Sequence, residues 1–296
     1  MESDAAEISS ARDYYRRILP FYEKESVAQA HLAYWRRVAQ THPHRRILEI
    51  GAGLGRITAE LARVGQAVGL DVSLEMLSAA RRRTGSASFV AAETRRASFV
   101  AAETRRAAFV AADARRPAFG PVFDLIVAPG DPISHMTRLA DRRQALRAVA
   151  RQLAPGGVFV LEGLYRRRDE VAMPRRRIPH AHGVLWIEER WIPIGRAELW
   201  HARYRYEDRR SDGGVRTETA AFLARAWNPA TIADLFAGAG LAVEETRGDY
   251  DGRPFDEGSS ERLLVTARLL PRAGRALPVR TSGTRVEPLI EEVRRP

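Results

Sequence analysis

Ile47-Leu-Glu-Ile-Gly-Ala-Gly-Leu-Gly-Arg56, with Asp71 closing the next apolar run, is the stretch that decides the fold. It reads as a strand ending in a glycine-rich turn that opens a helix. Glycine suits that turn because the backbone bends sharply and a ligand can approach where no Cβ stands. Ala67-Val-Gly-Leu70 reads as a second strand that delivers the Asp71 carboxylate. An acid about 20 residues past the first glycine can accept both hydroxyls of a ribose. The expected ligand therefore carries a ribose.

Two classes of ribose cofactor compete for such a turn. The dinucleotide fingerprint requires G-x-G-x-x-G with a pyrophosphate on the helix N-terminus. Gly51 and Gly53 fit, but the third position is Arg56, and the third glycine falls one residue early at Gly55. Glu49, two residues before the first glycine, would repel a pyrophosphate and suits a ligand bearing an ammonium and a sulfonium. Glu49, the three glycines and Asp71 in Gly69-Leu-Asp-Val-Ser-Leu-Glu-Met-Leu77 resemble motifs I and II of class I S-adenosylmethionine-dependent methyltransferases.

The resemblance runs over residues 12–165 and, more loosely, 228–269. Phe109-Val-Ala-Ala-Asp-Ala114 resembles the third strand, whose terminal acid takes the adenine amino group. Val122-Phe-Asp-Leu-Ile-Val-Ala-Pro-Gly130 resembles the fourth strand and its catalytic-face loop. Leu153-Ala-Pro-Gly-Gly-Val-Phe-Val-Leu-Glu162 resembles the fifth. The implied fold is α/β: a Rossmann-like, doubly wound, seven-stranded sheet with the last strand antiparallel. The implied cofactor is S-adenosyl-L-methionine, held by Tyr22, Glu49, Gly51, Gly53, Gly55, Asp71, Val72, Met76, Asp113, Ala114 and Ala128.

An internal repeat complicates the third strand. Ala87-Ser-Phe-Val-Ala-Ala-Glu-Thr-Arg-Arg96 recurs unchanged at 97–106, and Ala107-Ala-Phe-Val-Ala-Ala-Asp-Ala-Arg-Arg116 is a diverged third copy. The run is too short for a solenoid. The third copy is expected to be the native strand, because its acid lies a short distance before Phe123-Asp-Leu. Asp113 would then meet adenine, with Glu93 of the first copy as the alternative.

Residues 1–40 are expected to form a helical lid rich in aromatic residues, with Tyr22 in Leu19-Pro-Phe-Tyr22 resembling the family's lid segment. Residues 41–165 and 228–270 make the cofactor domain. Asp131-Pro132 reads as a helix N-cap with proline at the first helical position. Leu146, Val149, Ala150 and Leu153 follow at helical spacing. Residues 166–227 leave the usual methyltransferase order. A basic loop at 166–182 precedes three antiparallel strands at 183–194, 197–209 and 215–227, with Trp200, Tyr204 and Tyr206 alternating onto one face. Asp212-Gly213-Gly214 makes the last turn. Asn228-Pro229 caps a helix, two strands follow near 241–249 and 261–269, and 271–296 reads as a loose tail. The insertion resembles that of small-molecule N-methyltransferases, where it covers the active site or builds an oligomer. A homodimer through it is the expected assembly.

Composition bounds the rest. The chain has 296 residues, no cysteine and no run of 18 apolar residues, which argues against a disulfide, a thiolate nucleophile and a membrane-spanning helix. The N-terminus lacks a basic region followed by an apolar one, so a cytoplasmic location is expected. The net charge is +11, and Lys24 is the one lysine among 48 basic residues. The arginines alternate with acids along the whole chain, which describes a solvated surface better than a nucleic-acid footprint.

Methyl transfer from a sulfonium is an in-line displacement governed by proximity and orientation. A base helps when the acceptor is a hydroxyl, a protonated amine or an acidic carbon. His135, in the loop after the fourth strand, is the best-placed candidate; His180, His182 and His201 of the insertion come second. No third ligand stands near His180 and His182, so no metal is expected. The post-strand segment Ala128-Pro-Gly-Asp131 lacks the Asn-Pro-Pro-aromatic pattern that grips an adenine amine. A small, partly apolar acceptor is therefore the leading expectation. A nucleic-acid or protein methyltransferase and a non-enzymatic cofactor-binding protein are the alternatives.

Overall fold

The computed structural model describes residues 10–25, 28–41, 46–84, 88–91, 107–116, 119–167, 174–195 and 198–270. Two helices, α1 (Ala11–Tyr22) and α2 (Gln29–Gln40), lead into the alternating unit β1 (Arg46–Ile50), α3 (Arg56–Leu61), β2 (Gln66–Asp71) and α4 (Leu74–Thr84). The short strands β3 (Ser88–Ala91) and β4 (Ala108–Ala111) follow, then β5 (Phe123–Ala128), α5 (Leu139–Gln152) and β6 (Leu153–Gly163). An antiparallel block of β7 (Arg176–His180), β8 (Gly183–Ile194), β9 (Leu199–Arg210) and β10 (Val215–Arg225) precedes α6 (Ile232–Ala237), β11 (Leu241–Arg247) and β12 (Leu263–Leu269).

The larger sheet has the order β11-β12-β6-β5-β1-β2-β4-β3. Strands β5, β1, β2 and β4 are parallel, and β12 runs antiparallel to β6. Alternation along β1 sets its two layers. Leu48 and Ile50 face the side that buries Leu146, Val149 and Phe236. Ile47 faces the side that buries Trp35, Leu61 and Leu77. Burial on both faces is what makes these strands near-continuous apolar runs.

All seven expected strands are present in the expected arrangement, and the repeat adds an eighth. The third copy forms β4 and pairs with β2, as its acid spacing implied. The first copy forms β3, which pairs with β4 in parallel and in strict repeat register, Ser88 opposite Ala108 and Phe89 opposite Phe109. A β-branched and aromatic run placed at an open sheet edge finds backbone partners there. Glu93, the second copy and the tail 271–296 lie outside the described residues.

The insertion also has one strand more than expected: its order is β10-β9-β8-β7. Residues 176–180, read from sequence as part of a basic loop, pair antiparallel with β8 from Arg176–Ile187 to His180–Gly183. Pro179 is tolerated because β7 is an edge strand, where a missing N–H need not break a ladder. Trp200, Ala202 and Tyr206 of β9 point to one buried face, and α1 packs on it through Tyr14, Ile18 and Phe21. Tyr15, Leu19 and Tyr22, on the other face of α1, cover Leu54 and Met76 beside the glycine-rich turn. Helix α1 thus bridges the antiparallel sheet and the larger one. Its far end is fixed to β9, where Lys24 pairs with buried Asp208, which also accepts from His180 Nε2 at 2.8 Å.

The segment after β5 departs from the expected helix cap. Asp131 is left-handed (φ 49°) and makes no side-chain cap; Pro132–His135 form a single 3-10 turn. The Asp131 carboxylate turns away to accept from the Leu164 amide and from Trp227 Nε1, each at 2.7 Å.

Candidate active site

The glycine-rich turn is held from both sides. The amides of Gly51 and Ala52 donate to the Leu70 carbonyl at 2.7 and 3.0 Å. The Gly53 amide donates to Asp71 Oδ2 at 2.8 Å, and the Ser73 amide donates to Oδ1 at 2.9 Å. Burial pushes the Asp71 carboxyl up, and these amides pull it back down. At Gly51 a Cβ would stand 2.5 Å from Pro132 Cβ, so only glycine lets the two catalytic-face loops touch. At Gly55 a Cβ would stand 2.5 Å from Phe109 Cζ.

A cavity of about 410 Å³ opens above this turn. Eight of the residues expected to hold the cofactor line it: Tyr22, Gly51, Gly53, Asp71, Val72, Met76, Asp113 and Ala114. Three do not line it. Glu49 lies beneath the turn, 2 % exposed, accepting from the Thr58 hydroxyl. Desolvation pushes its pKa up to about 8. Gly55 serves the close approach of Phe109, and Ala128 is sealed in the sheet core while Pro129 and Gly130 line the cavity after it. Asp113 is ionised beside Arg115, whose Nη2 donates to Oδ2 at 2.6 Å and holds its carboxyl below the usual range. The geometry fits an adenosyl group. Its lining includes the acids Asp71 and Asp113 and the rings of Tyr15 and Tyr22. The volume lies within the ordinary range for ligand sites.

A second cavity, about 630 Å³, lies on the far side of α1. Tyr14, Tyr204, Tyr206, Trp191 and Phe222 supply aromatic walls, and the ends of β5 and β6 supply polar ones. Tyr15, Tyr22, Gly130 and His135 belong to both cavities. His135 therefore stands at their junction, as its place after β5 suggested. Its ring centroid lies 4.5 Å from that of Phe222, and its Nε2 lies 3.5 Å from Tyr15 Oη. Its Nδ1 is buried without a hydrogen-bond partner. Burial pulls its pKa down to about 4, so the imidazole is neutral near pH 7. His180, His182 and His201 line neither cavity.

Sequence reading missed Tyr15. Its signal was the helical spacing of Tyr15, Leu19 and Tyr22, which separates a stripe facing Leu54 and Met76 from the Tyr14, Ile18, Phe21 stripe. It also missed Glu162, which accepts from His31 Nε2 (3.1 Å), the Gly130 amide (3.0 Å) and the Tyr250 hydroxyl. These partners come from α2, the segment after β5 and the β11–β12 connection, which no local motif joins to β6. Among the described residues no group of three or more His, Asp or Glu is placed to hold a metal.

Residues 47–157 match the family described as a methyltransferase domain. Over those residues the chain carries a methyltransferase domain. Solved structures agree in fold. The CcbJ methyltransferase of Streptomyces caelestis superposes with a TM-score of 0.66 at 19% identity, over 87% of this chain and 98% of that one. An S-adenosylmethionine-dependent methyltransferase of Clostridium acetobutylicum gives 0.67 at 16%, over 87% and 99%. CalS10, an amino pentose methyltransferase of Micromonospora echinaspora solved with bound S-adenosylmethionine, gives 0.63 at 21%, over 84% and 94%. The comparison with curated protein sequences finds no match. The methyltransferase domain spans the turn, Asp71, Asp113 and His135.

Proposed function

We propose that this methyltransferase methylates a small molecule seated in the aromatic-walled cavity. The observation that carries the reading is the junction: two cavities meet at Tyr15, Tyr22, Gly130 and His135 beneath a lid helix. One suits an adenosyl group and the other is large enough for a compact acceptor. The cofactor, when bound, supplies a sulfonium-activated methyl. The chain's own residues do the rest. Asp71, Asp113 and the glycine turn fix the cofactor end, while α1 and the antiparallel sheet exclude water and hold the acceptor in line. Proximity and desolvation of this kind carry most of such a rate. His135, neutral and at the junction, positions the acceptor or takes its proton. The aromatic walls from Tyr14, Trp191, Tyr204 and Phe222 beside α1 favour a compact, partly apolar acceptor over a nucleic-acid or protein substrate.

The test is incubation of the protein with isotopically labelled S-adenosylmethionine and separated fractions of a cell extract. Label is expected in the low-molecular-mass fraction. Label confined to nucleic acid or protein overturns the reading.

A further inference from the structure

Alternation along its strands gives the antiparallel sheet two faces. The inner face buries Leu185, Ile187, Trp200 and Phe222, and α1 packs on it. The outer face carries the intervening residues, and cross-strand register orders them into rows. Leu223, His201 and Ile192 form one row, with Leu199 and Ile194 beyond it. Ile192 and Ile194 are 43 % and 39 % exposed. On the other side of that row Arg203 and Arg190 stand directly opposite each other. Arg205 and Glu188 come next, then Glu207 and Trp186 beside Arg177.

Over the chain as a whole arginines alternate with acids, but on this face the balance fails. Six arginines (Arg175, Arg177, Arg190, Arg203, Arg205 and Arg209) meet two acids, Glu188 and Glu207. Those acids are shared. Arg175 reaches them at 3.3 and 3.2 Å, Arg205 at 3.4 and 3.7 Å, and Arg209 also pairs with Glu207. Arg177 and Arg190 have no acid partner among the described residues. Like charges directly opposite on neighbouring strands destabilise a sheet, and an anion lying across Arg190 and Arg203 relieves that.

We infer that this face docks a partner protein through an acidic, amphipathic helix. The acids of the helix lie on Arg177, Arg190 and Arg205, and its apolar side lies on Ile192 and Ile194. The dimensions agree. Strands of 12 residues, rising about 3.3 Å each, and four strands about 4.8 Å apart give a face of roughly 40 by 15 Å. One helix, about 10–12 Å across, covers that width. The area, on the order of 600 Å² a side, is below the standard interface and belongs to a weak, transient complex. A second copy of this chain fits less well, because a two-fold axis through the face brings its arginine rows together. A nucleic acid leaves the Ile192 end unmatched, and Trp186, a ring that could stack on a base, is capped by the Arg175 guanidinium at 4.5 Å. The docked helix would sit behind the wall that Trp191, Tyr204 and Phe222 give the larger cavity.

The test titrates the full chain with a labelled peptide of about 20 leucines and glutamates at helical spacing, roughly 30 Å long as a helix. Fluorescence anisotropy is expected to show binding at low salt that weakens as salt is raised. Arg190→Glu and Ile192→Asp are each expected to weaken it roughly tenfold or more. Arg147→Glu, the same charge change on an exposed position of α5, is expected to alter it by less than about twofold. Arg190→Glu sets an acid opposite Arg203 and so should fold at least as stably as wild type; should it not fold, Arg177→Glu takes its place. No binding to wild type, or an equal loss in Arg147→Glu, overturns the proposal. So does a single-stranded oligonucleotide that binds more tightly than the peptide, or a wild-type dimer that Ile192→Asp splits.

Discussion

Tyr15 Oη lies 3.5 Å from Nε2 of His135, and the two side chains form the wall where the cavities join. Burial holds the Tyr15 phenol well above its ordinary pKa and the His135 imidazole well below its own, so both are neutral near pH 7. A neutral phenol and a neutral imidazole can orient an acceptor without repelling the positive charge that moves through the junction. His135→Ala is expected to lower turnover by about 10²–10⁴-fold if it acts as a base, and less if it only positions. Cofactor affinity should stay unchanged. Turnover measured beside calorimetric affinity checks this; wild-type turnover removes His135 from the mechanism.

Gly55 packs against Phe109, the aromatic residue of the third repeat copy. Gly55→Ala places a Cβ 2.5 Å from the ring at φ +69°, so both overpacking and backbone strain follow. Overpacking alone costs about 1–3 kcal/mol. Denaturant unfolding should show a lower midpoint with an unchanged slope. An unaltered midpoint would mean that the turn and strand do not meet as described.

The repeat yields a deletion experiment. Because β3 is an edge strand and β4 alone carries Asp113, removal of residues 87–106 should leave a folded, seven-stranded sheet. The shortened chain is expected to bind S-adenosylmethionine with wild-type affinity. Loss of folding or of binding would show that the additional copies are required.

Glu49 sets a pH dependence. Its folded pKa, about 8, exceeds the ordinary 4.5, so the folded state holds a proton that the unfolded state releases. Its stabilising contribution is complete below about 4.5 and is lost as pH rises towards about 8. Thermal midpoints should therefore fall between pH 6 and pH 9 by a margin that Glu49→Gln flattens. Identical slopes in the two proteins would exclude Glu49 as the cause.

The cavity above the glycine turn was legible because its residues lie close in sequence on strand ends whose order the alternating apolar runs disclose. Asp71 and Asp113 could be placed that way. Glu49 could not, because a carboxylate near a glycine turn reads alike whether it faces a ligand or, as here, the Thr58 hydroxyl beneath it. Strand β7 was hidden by arginine and proline, residues that an edge strand tolerates and a central one does not. The acceptor side was the least legible. Asp131, Leu164 and Trp227 meet only because β5, β6 and the segment after β10 end together, and no spacing rule connects them.

Calorimetric titration of the wild type and of Asp71→Asn with S-adenosylmethionine tests the central claim, that the glycine turn and Asp71 hold this cofactor. The wild type is expected to bind one equivalent. The variant, losing charge-assisted hydrogen bonds worth about 1.5–3 kcal/mol, is expected to bind roughly 10–100-fold more weakly. No binding to the wild type, or equal binding to both proteins, would contradict it.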